Sequence, residues 1–216
     1  MRLDDIEARL QRDHLSVFGS FHPGPKDDVP PGCATLLLLG PHEPGFWAHV
    51  NAAPEFHDGR ADPLDRWSRR VIGQIACDLG GKALFPFGGP PHRPFIAWAK
   101  ASGRAWSSPV GLLVQDQAGL MVSYRGALAL PERIALPPVP PAPPCAECAR
   151  PCQTACPVDA LGPTGYDTAA CHAHLDTDAG RDCLEHGCKA RRACPISETY
   201  ARSAAQSAHH MRNFHP

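Results

Sequence analysis

The sequence has no apolar run long enough to cross a membrane. Its longest aliphatic stretch, Cys33–Leu39, falls well short of the roughly 18 consecutive apolar residues that a spanning helix needs, so no membrane partner is expected. Charge of one sign is not in excess either: 21 Lys and Arg stand against 22 Asp and Glu. That balance excludes a polybasic nucleic-acid arm, and no nucleic-acid partner is expected. Gly-x-Gly-x-x-Gly, Gly-Lys-Ser/Thr, Gly-x-Ser-x-Gly and His-Glu-x-x-His are all missing, so nucleotide binding and hydrolase chemistry have no local support. Gly88-Gly89-Pro90-Pro91 is a turn without the helix start that a phosphate loop needs. No pair of acid and base stands out as catalytic. Met1–Leu10 alternates charged and aliphatic residues, where a secretory signal has a basic start and an apolar block. The expected compartment is therefore the cytoplasm.

Proline and cysteine are abundant instead, with 25 and 10 residues among 216. Seven of the fourteen positions from Pro131 to Pro144 are proline, which excludes a regular helix or central strand there and favours a semi-rigid extended spacer. Eight of the ten cysteines follow that stretch, between Cys145 and Cys194. The composition thus divides the chain into an α+β domain (1–130), a Pro-rich linker (131–144), a cysteine-rich domain (145–200) and a flexible polar tail (201–216).

In the first part, Leu15–Phe21 and Cys33–Leu39 read as strands bounded by Gly and Pro. From Asp62, a candidate N-cap followed by Pro63, the residues Leu64, Trp67, Val71, Ile75 and Leu79 repeat at helical spacing until Gly80-Gly81. Lys82–Phe87 reads as a further strand and Arg93–Gly103 as a short helix. The segment after Pro109 shows two apolar runs around Gln115–Gly119, a hairpin signal. Strands and helices mix without strict βαβ alternation, which makes the class α+β.

The last part has little aliphatic content, chiefly Val158, Leu161, Leu175 and Leu184, and needs a staple of disulfides or metal. Its cysteines are Cys145, Cys148, Cys152 and Cys156, then Cys171, Cys183, Cys188 and Cys194, with proline directly after Cys156 and Cys194. Thiolates spaced two or three residues apart on a tight loop converge on one centre, and a distant cysteine completes it when the chain folds back. Three chemistries fit eight cysteines. Four disulfides belong to an oxidising compartment. Two zinc sites, each with four cysteine ligands, match the ligand count, although zinc ribbons usually supply two Cys-x2-Cys pairs and this chain has one. Iron–sulfur ligation, with one 4Fe-4S cluster or two, suits the Cys-Pro endings.

The first run resembles the C-x2-C-x2-C-x3-C-P motif of bacterial 4Fe-4S ferredoxins, with one residue more between its second and third cysteines. Cys156-Pro-Val-Asp-Ala-Leu161 is similar to the segment that closes that motif. A compact four-Cys run, a lone cysteine and a last group ending in Cys-Pro resembles the C-terminal half of epoxyqueuosine reductases and reductive dehalogenases. That resemblance implies two 4Fe-4S clusters held by the eight cysteines, with Cys194 joining Cys145, Cys148 and Cys152, and Cys156 joining Cys171, Cys183 and Cys188. More weakly, the upstream order of elements resembles the cobalamin-binding domain of the same enzymes, a fold related to cobalamin-processing chaperones and nitroreductases with a mixed sheet and flanking helices. Ser107-Ser108-Pro109 stands where that family has a Gly-Lys-Asn turn. The expectation is an iron–sulfur electron-transfer protein acting with a redox partner protein. The alternatives are an oxidoreductase of the epoxyqueuosine reductase kind, using cobalamin or flavin, and a zinc-stapled interaction protein.

Other residues carry less. Eight cysteines leave no vacancy for His172, His174 or His186, which are expected to be surface or hydrogen-bonding groups. Cys33 and Cys77 read as buried inert thiols. Lys189, Arg191 and Arg192 read either as offsetting cluster charge and docking an acidic partner, or as a solvated face.

Overall fold

The computed structural model describes residues 1–139 and 142–216; Pro140 and Pro141, within the expected linker, lie outside the described residues. In chain order the elements are α1 (Leu3–Gln11), β1 (Leu15–Phe21), β2 (Thr35–Pro41), α2 (Phe46–Asn51), α3 (Pro63–Asp78), β3 (Lys82–Leu84), α4 (Phe95–Ala101), β4 (Ala105–Ser107), β5 (Leu113–Gln115) and β6 (Gly126–Leu130). They continue with β7 (Leu161–Gly162), β8 (Gly165–Tyr166), α5 (Thr168–Leu175), α6 (Arg181–His186), α7 (Lys189–Arg192), α8 (Pro195–Thr199) and α9 (Ala204–Phe214). The class is α+β. The chain forms two units, one of Met1–Arg104 with Ser123–Pro140 and one of Ala105–Val122 with Pro141–Pro216.

The first unit is built on an antiparallel sheet in the order β1-β2-β6-β3. Every residue of β2 is buried, which a continuous Leu36–Leu39 run requires: alternate side chains point to opposite faces, and both faces must be covered. Leu37 and Leu39 enter a cluster with Ile6 and Leu10 of α1, Phe46 of α2 and Trp67, Ile72 and Ile75 of α3. On the other face Phe18, Phe95 and Tyr124 meet ring to ring, and Phe95 packs on the buried Trp98. The sheet is so tight at α4 that a Cβ on Gly19 would lie 2.5 Å from the Ser102 hydroxyl.

Helix α3 lies where its spacing predicts and ends at Gly80, whose φ of +65° suits glycine. Asp62, however, makes no side-chain cap bond; its backbone is left-handed, and Pro63 starts the helix without a free N–H to cap. The strand expected over Lys82–Phe87 stops at Leu84. Beyond it Phe85 and Phe87 leave the ladder and pack against each other and under the Arg69 guanidinium.

The expected hairpin after Pro109 does not form. Leu113–Gln115 pairs with Ala105–Ser107, and Gly126–Leu130 joins the larger sheet between β2 and β3. Gln115 is the reason for the break: it is fully buried, its side-chain oxygen accepts from the Gln117 and Ala118 N–H groups, and its backbone exchanges both bonds with Gly119. This closes a tight loop that turns the two apolar runs apart.

The second unit obtains its apolar residues from that detour. Val110, Val114 and Leu120, with Trp106 and Leu112 against them, share one cluster with Cys152, Cys194, Cys145, Leu161 and Ile196. The aliphatic content that 145–194 lacks is thus supplied by 105–122. Residues 204–214, read as part of a flexible tail, are helical. Ser203 accepts from the Gln206 N–H as N-cap, and α9 packs along α6 with Gln206, Ser207 and Ala208 buried.

Candidate metal centre

All ten cysteines are free thiols, so the fold holds no disulfide staple. Cys77 is exposed, contrary to its reading as a buried thiol, because it lies on the outer face of α3; Cys33 is half-buried and donates to the Thr35 carbonyl at 3.3 Å.

The first run sits on a loop pinned by a left-handed Arg150 (φ +57°) and a 310 turn at Pro151–Gln153. Arg150 N–H points back to the Cys148 Sγ at 3.3 Å. Cys194 arrives from the far end of the unit. Pro195 opens α8, and the residue before a proline is held extended, which sets Cys194 at the helix entrance with only 8% of its surface exposed. Burial pushes the Cys145 thiol up, and the charges of Cys194 and Cys148 add to it. Burial likewise raises Cys152, with contributions from Cys194, Cys145 and Cys148. These four thiols therefore lie near one another, and a cavity of about 340 Å³ is lined by Cys145, Cys148 and Cys194 together with Val114, Pro195 and Ile196.

The remaining four are brought together separately. Cys156 Sγ accepts from Ala160 N–H at 3.3 Å, so the Cys-Pro turn wraps its own sulfur. Cys171 stands in the first turn of α5, which Asp167 caps by accepting from Ala170 N–H. Its thiol is raised by burial, lowered by a hydrogen bond from the Tyr166 hydroxyl, and raised again by Cys188 and Cys156. Cys183, buried in α6, is raised by burial, lowered by the Lys189 N–H and raised by Cys188. The thiols that act on one another thus sort into Cys145, Cys148, Cys152 and Cys194, and into Cys156, Cys171, Cys183 and Cys188. Among the described residues, no thiol of the other set contributes to the shift of Cys145, Cys152, Cys171 or Cys183.

Among the described residues no group of three or more His, Cys, Asp or Glu side chains could hold a metal ion. Within each set the thiols act on one another through charge. Two of the histidines between the cysteines are engaged elsewhere: His172 Nδ1 lies 2.6 Å from His215 Nδ1, and His186 lies 3.3 Å from Asp182. Lys189 and Arg192 both pair with Asp182, and Arg191 donates to the Leu120 carbonyl at 2.6 Å, which ties the cysteine-bearing helices to the 105–122 segment.

Two participants had no prominent sequence signal. Tyr166 follows Gly162-Pro163-Thr164-Gly165, a turn signature that predicts a reversal next to the Cys156 motif. Gly119 packs against Cys194, and only the three-dimensional approach reveals it. No family model matches the chain, and no curated protein or solved structure is significantly similar to it.

Proposed function

We propose that this chain is an iron–sulfur electron-transfer protein with two 4Fe-4S centres, one held by Cys145, Cys148, Cys152 and Cys194 and the other by Cys156, Cys171, Cys183 and Cys188. The observation that carries the reading is the sorting of eight free thiols into two sets of four, the first from one loop and the distant Cys194, the second from the Cys156 turn, α5, α6 and the residue before α7. Each set supplies four thiols, the ligand number of a 4Fe-4S cluster, and the Cys-Pro endings suit iron–sulfur ligation. When bound, such a centre supplies reversible one-electron transfer.

The chain's own groups do the rest. Backbone N–H groups of Arg150 and Ala160 point at Cys148 and Cys156, where they offset negative charge on sulfur. Val110, Val114 and Leu120 keep water from the first set. The 105–122 segment is then a wall of the first centre. We place the protein in the cytoplasm, exchanging electrons with a redox partner protein, and read the fold as a ferredoxin-like unit on a domain similar to those of cobalamin-processing proteins.

Metal analysis of anaerobically purified protein tests this. About eight irons and eight sulfides per chain are expected, with broad absorbance near 400 nm. About four irons would leave one centre, and zinc without iron would overturn the reading. A yellow or red chromophore beyond the iron–sulfur bands would add flavin or corrinoid and make the protein a reductase rather than a carrier.

A further inference from the structure

The turn from α1 into β1 ends on His14, whose backbone is left-handed at φ +50° and whose ring lies against the start of α2. A Cβ on Gly45, the N-cap of α2, would stand 2.8 Å from the His14 Cε1 and 3.0 Å from its Nδ1. One turn further along, the His49 ring is 5.0 Å from that of His14 at 37°. The His49 N–H donates to the Gly45 carbonyl at 3.0 Å, so a single turn of helix touches the His14 ring at two points. His49 also meets Trp67 of α3 edge to face, at 6.0 Å and 80°. Moving the two imidazoles apart therefore means moving α2, whose Phe46 and Val50 are fully buried in the core of the first unit.

Histidine is the side chain that changes charge in mild acid, and this pair is poorly provided for when it does. An imidazolium carries a proton on each nitrogen, yet the His14 Nδ1 is buried with no hydrogen-bond partner among the described residues. Protonation puts an N–H there without an acceptor. The His49 Nε2 stands 4.0 Å from the Asp13 carboxylate, but Arg9 already holds Asp13 at 2.6 Å and reaches Asp78 at 3.8 Å. From α3, Arg70 adds positive charge, itself paired with Glu55 at 2.5 Å. In the loop that leads to Gly45, His42 is bonded to Ser16 at 2.8 Å, and Glu43 follows it. Burial first, and the charge of His14 second, hold His49 below its ordinary 6.5; Asp13 opposes them and Arg70 adds to them. A folded value below the unfolded one means that the unfolded segment binds more protons. The stability tied to His49 is therefore full above about pH 6.5 and is lost as the pH falls through the folded value.

We propose that the stacked His14 and His49 rings form an acid-triggered switch that releases α2 from the α1–β1 turn and uncovers Phe46 and Val50. With both rings neutral, they pack on each other and α2 stays seated. With both protonated, two like charges face each other across 5.0 Å and one of them has an N–H without a partner. Asp13 offsets one charge and not two. Releasing α2 separates the rings and gives both to water. The switch lies wholly within the first unit and does not depend on what the eight cysteines bind.

Hydrogen–deuterium exchange of the full-length protein, read by mass spectrometry from pH 7.5 to pH 5 and corrected for the intrinsic pH dependence of exchange, tests this. Below pH 6.5 the 46–53 segment is expected to lose protection about tenfold per pH unit, the slope of one extra proton bound on opening. Strand β2, buried at every residue, should keep its protection over the same range. The comparison variants are His49→Gln and His14→Asn, asparagine being a residue that tolerates the left-handed backbone. Each removes one charge of the pair, and the loss should shrink to about twofold or less. An unchanged slope in either variant overturns the proposal, as does wild-type protein in which 46–53 and β2 lose protection together or not at all. Nuclear magnetic resonance of the wild type gives a readout that needs no variant. The His49 ring shift should titrate below 6.5, and the amides of 46–53 should shift over the same range. A His49 ring that titrates at or above 6.5 overturns the switch as well.

Discussion

The backbone of Gly119 approaches Cys194 so closely that a Cβ there would lie 3.0 Å from the Cys194 Sγ and 2.6 Å from the Ser197 hydroxyl. Gly119 also has a φ of +56°, which side chains adopt at a cost. The Ser197 hydroxyl accepts from the Leu120 N–H at 2.9 Å, so this is the seam where the 105–122 segment is fastened to the start of α8. Gly119→Ala must therefore displace either Cys194 or the loop. The variant is expected to fold but to bind about half the iron of the wild type, having lost the first centre; an iron assay and a cluster absorbance spectrum check it.

The grouping of the thiols gives a sharper test of which cysteine serves which centre. Cys194→Ser should abolish the centre to which Cys145 and Cys152 belong, and Cys156→Ser the one to which Cys171 belongs, because those are the charges that each thiol feels. Each single variant is expected to keep about four irons, with complementary resonance signals that sum to the wild-type spectrum. Cys156 closes the compact run in sequence and yet stands with the later cysteines, so a Cys156→Ser protein that lost the signal missing in Cys194→Ser would refute the grouping.

How far the sequence could be read follows from the range of the forces involved. Helix α3 and strand β1 announce themselves because local periodicity and flanking Gly or Pro specify them, and they lie where those patterns put them. The eight cysteines are plain in the sequence, and their spacing marks them as candidate ligands. The role of residues 105–122 is not plain, because the signal in Leu112–Leu130 is two apolar runs around a turn, which describes a hairpin as well as it describes two strands sent to different sheets. Only the burial of Gln115 and the apolar poverty of 145–194 decide between them, and both are non-local. Helix α9 was hidden for a related reason: its sequence is polar and rich in histidine, and its order comes from an N-cap and from packing on α6 rather than from an apolar stripe.

That packing rests on Gly187. Its φ is +91°, and a Cβ there would sit 2.8 Å from the Ser207 Cβ, one residue before Cys188. Gly187→Ala should separate α9 from α6 and destabilise the fold by about 1–3 kcal/mol, the usual range for overpacking, measurable as a lower denaturant midpoint. The same variant should lose iron from the second centre before the first when exposed to a chelator. Ser207→Gly in the same chain, which makes room for the new methyl, is expected to restore part of the loss.

Acid stability should report on a different part of the molecule, the 54–61 segment beside α3. Arg70 bonds both carboxylate oxygens of Glu55, at 2.5 and 3.1 Å, and that hydrogen bonding holds Glu55 below its ordinary 4.5. Arg66 grips Asp58 through two contacts of 2.6 and 2.7 Å and also donates to the Glu55 and Ala61 carbonyls; the Asp58 carboxyl is brought down to about 2, chiefly by Arg66. Both pKa values are depressed in the folded state. Their contribution is therefore fully present above the unfolded values near 4 and is lost as pH falls toward about 2. Glu55→Gln should cost about 1 kcal/mol or less at neutral pH, since Arg70 is more than half exposed and water screens the pair. Stability measured by denaturant between pH 4 and pH 2 should fall less steeply in a Glu55→Gln, Asp58→Asn variant than in the wild type. Identical slopes would mean that the two arginines hold the segment through its carbonyls alone.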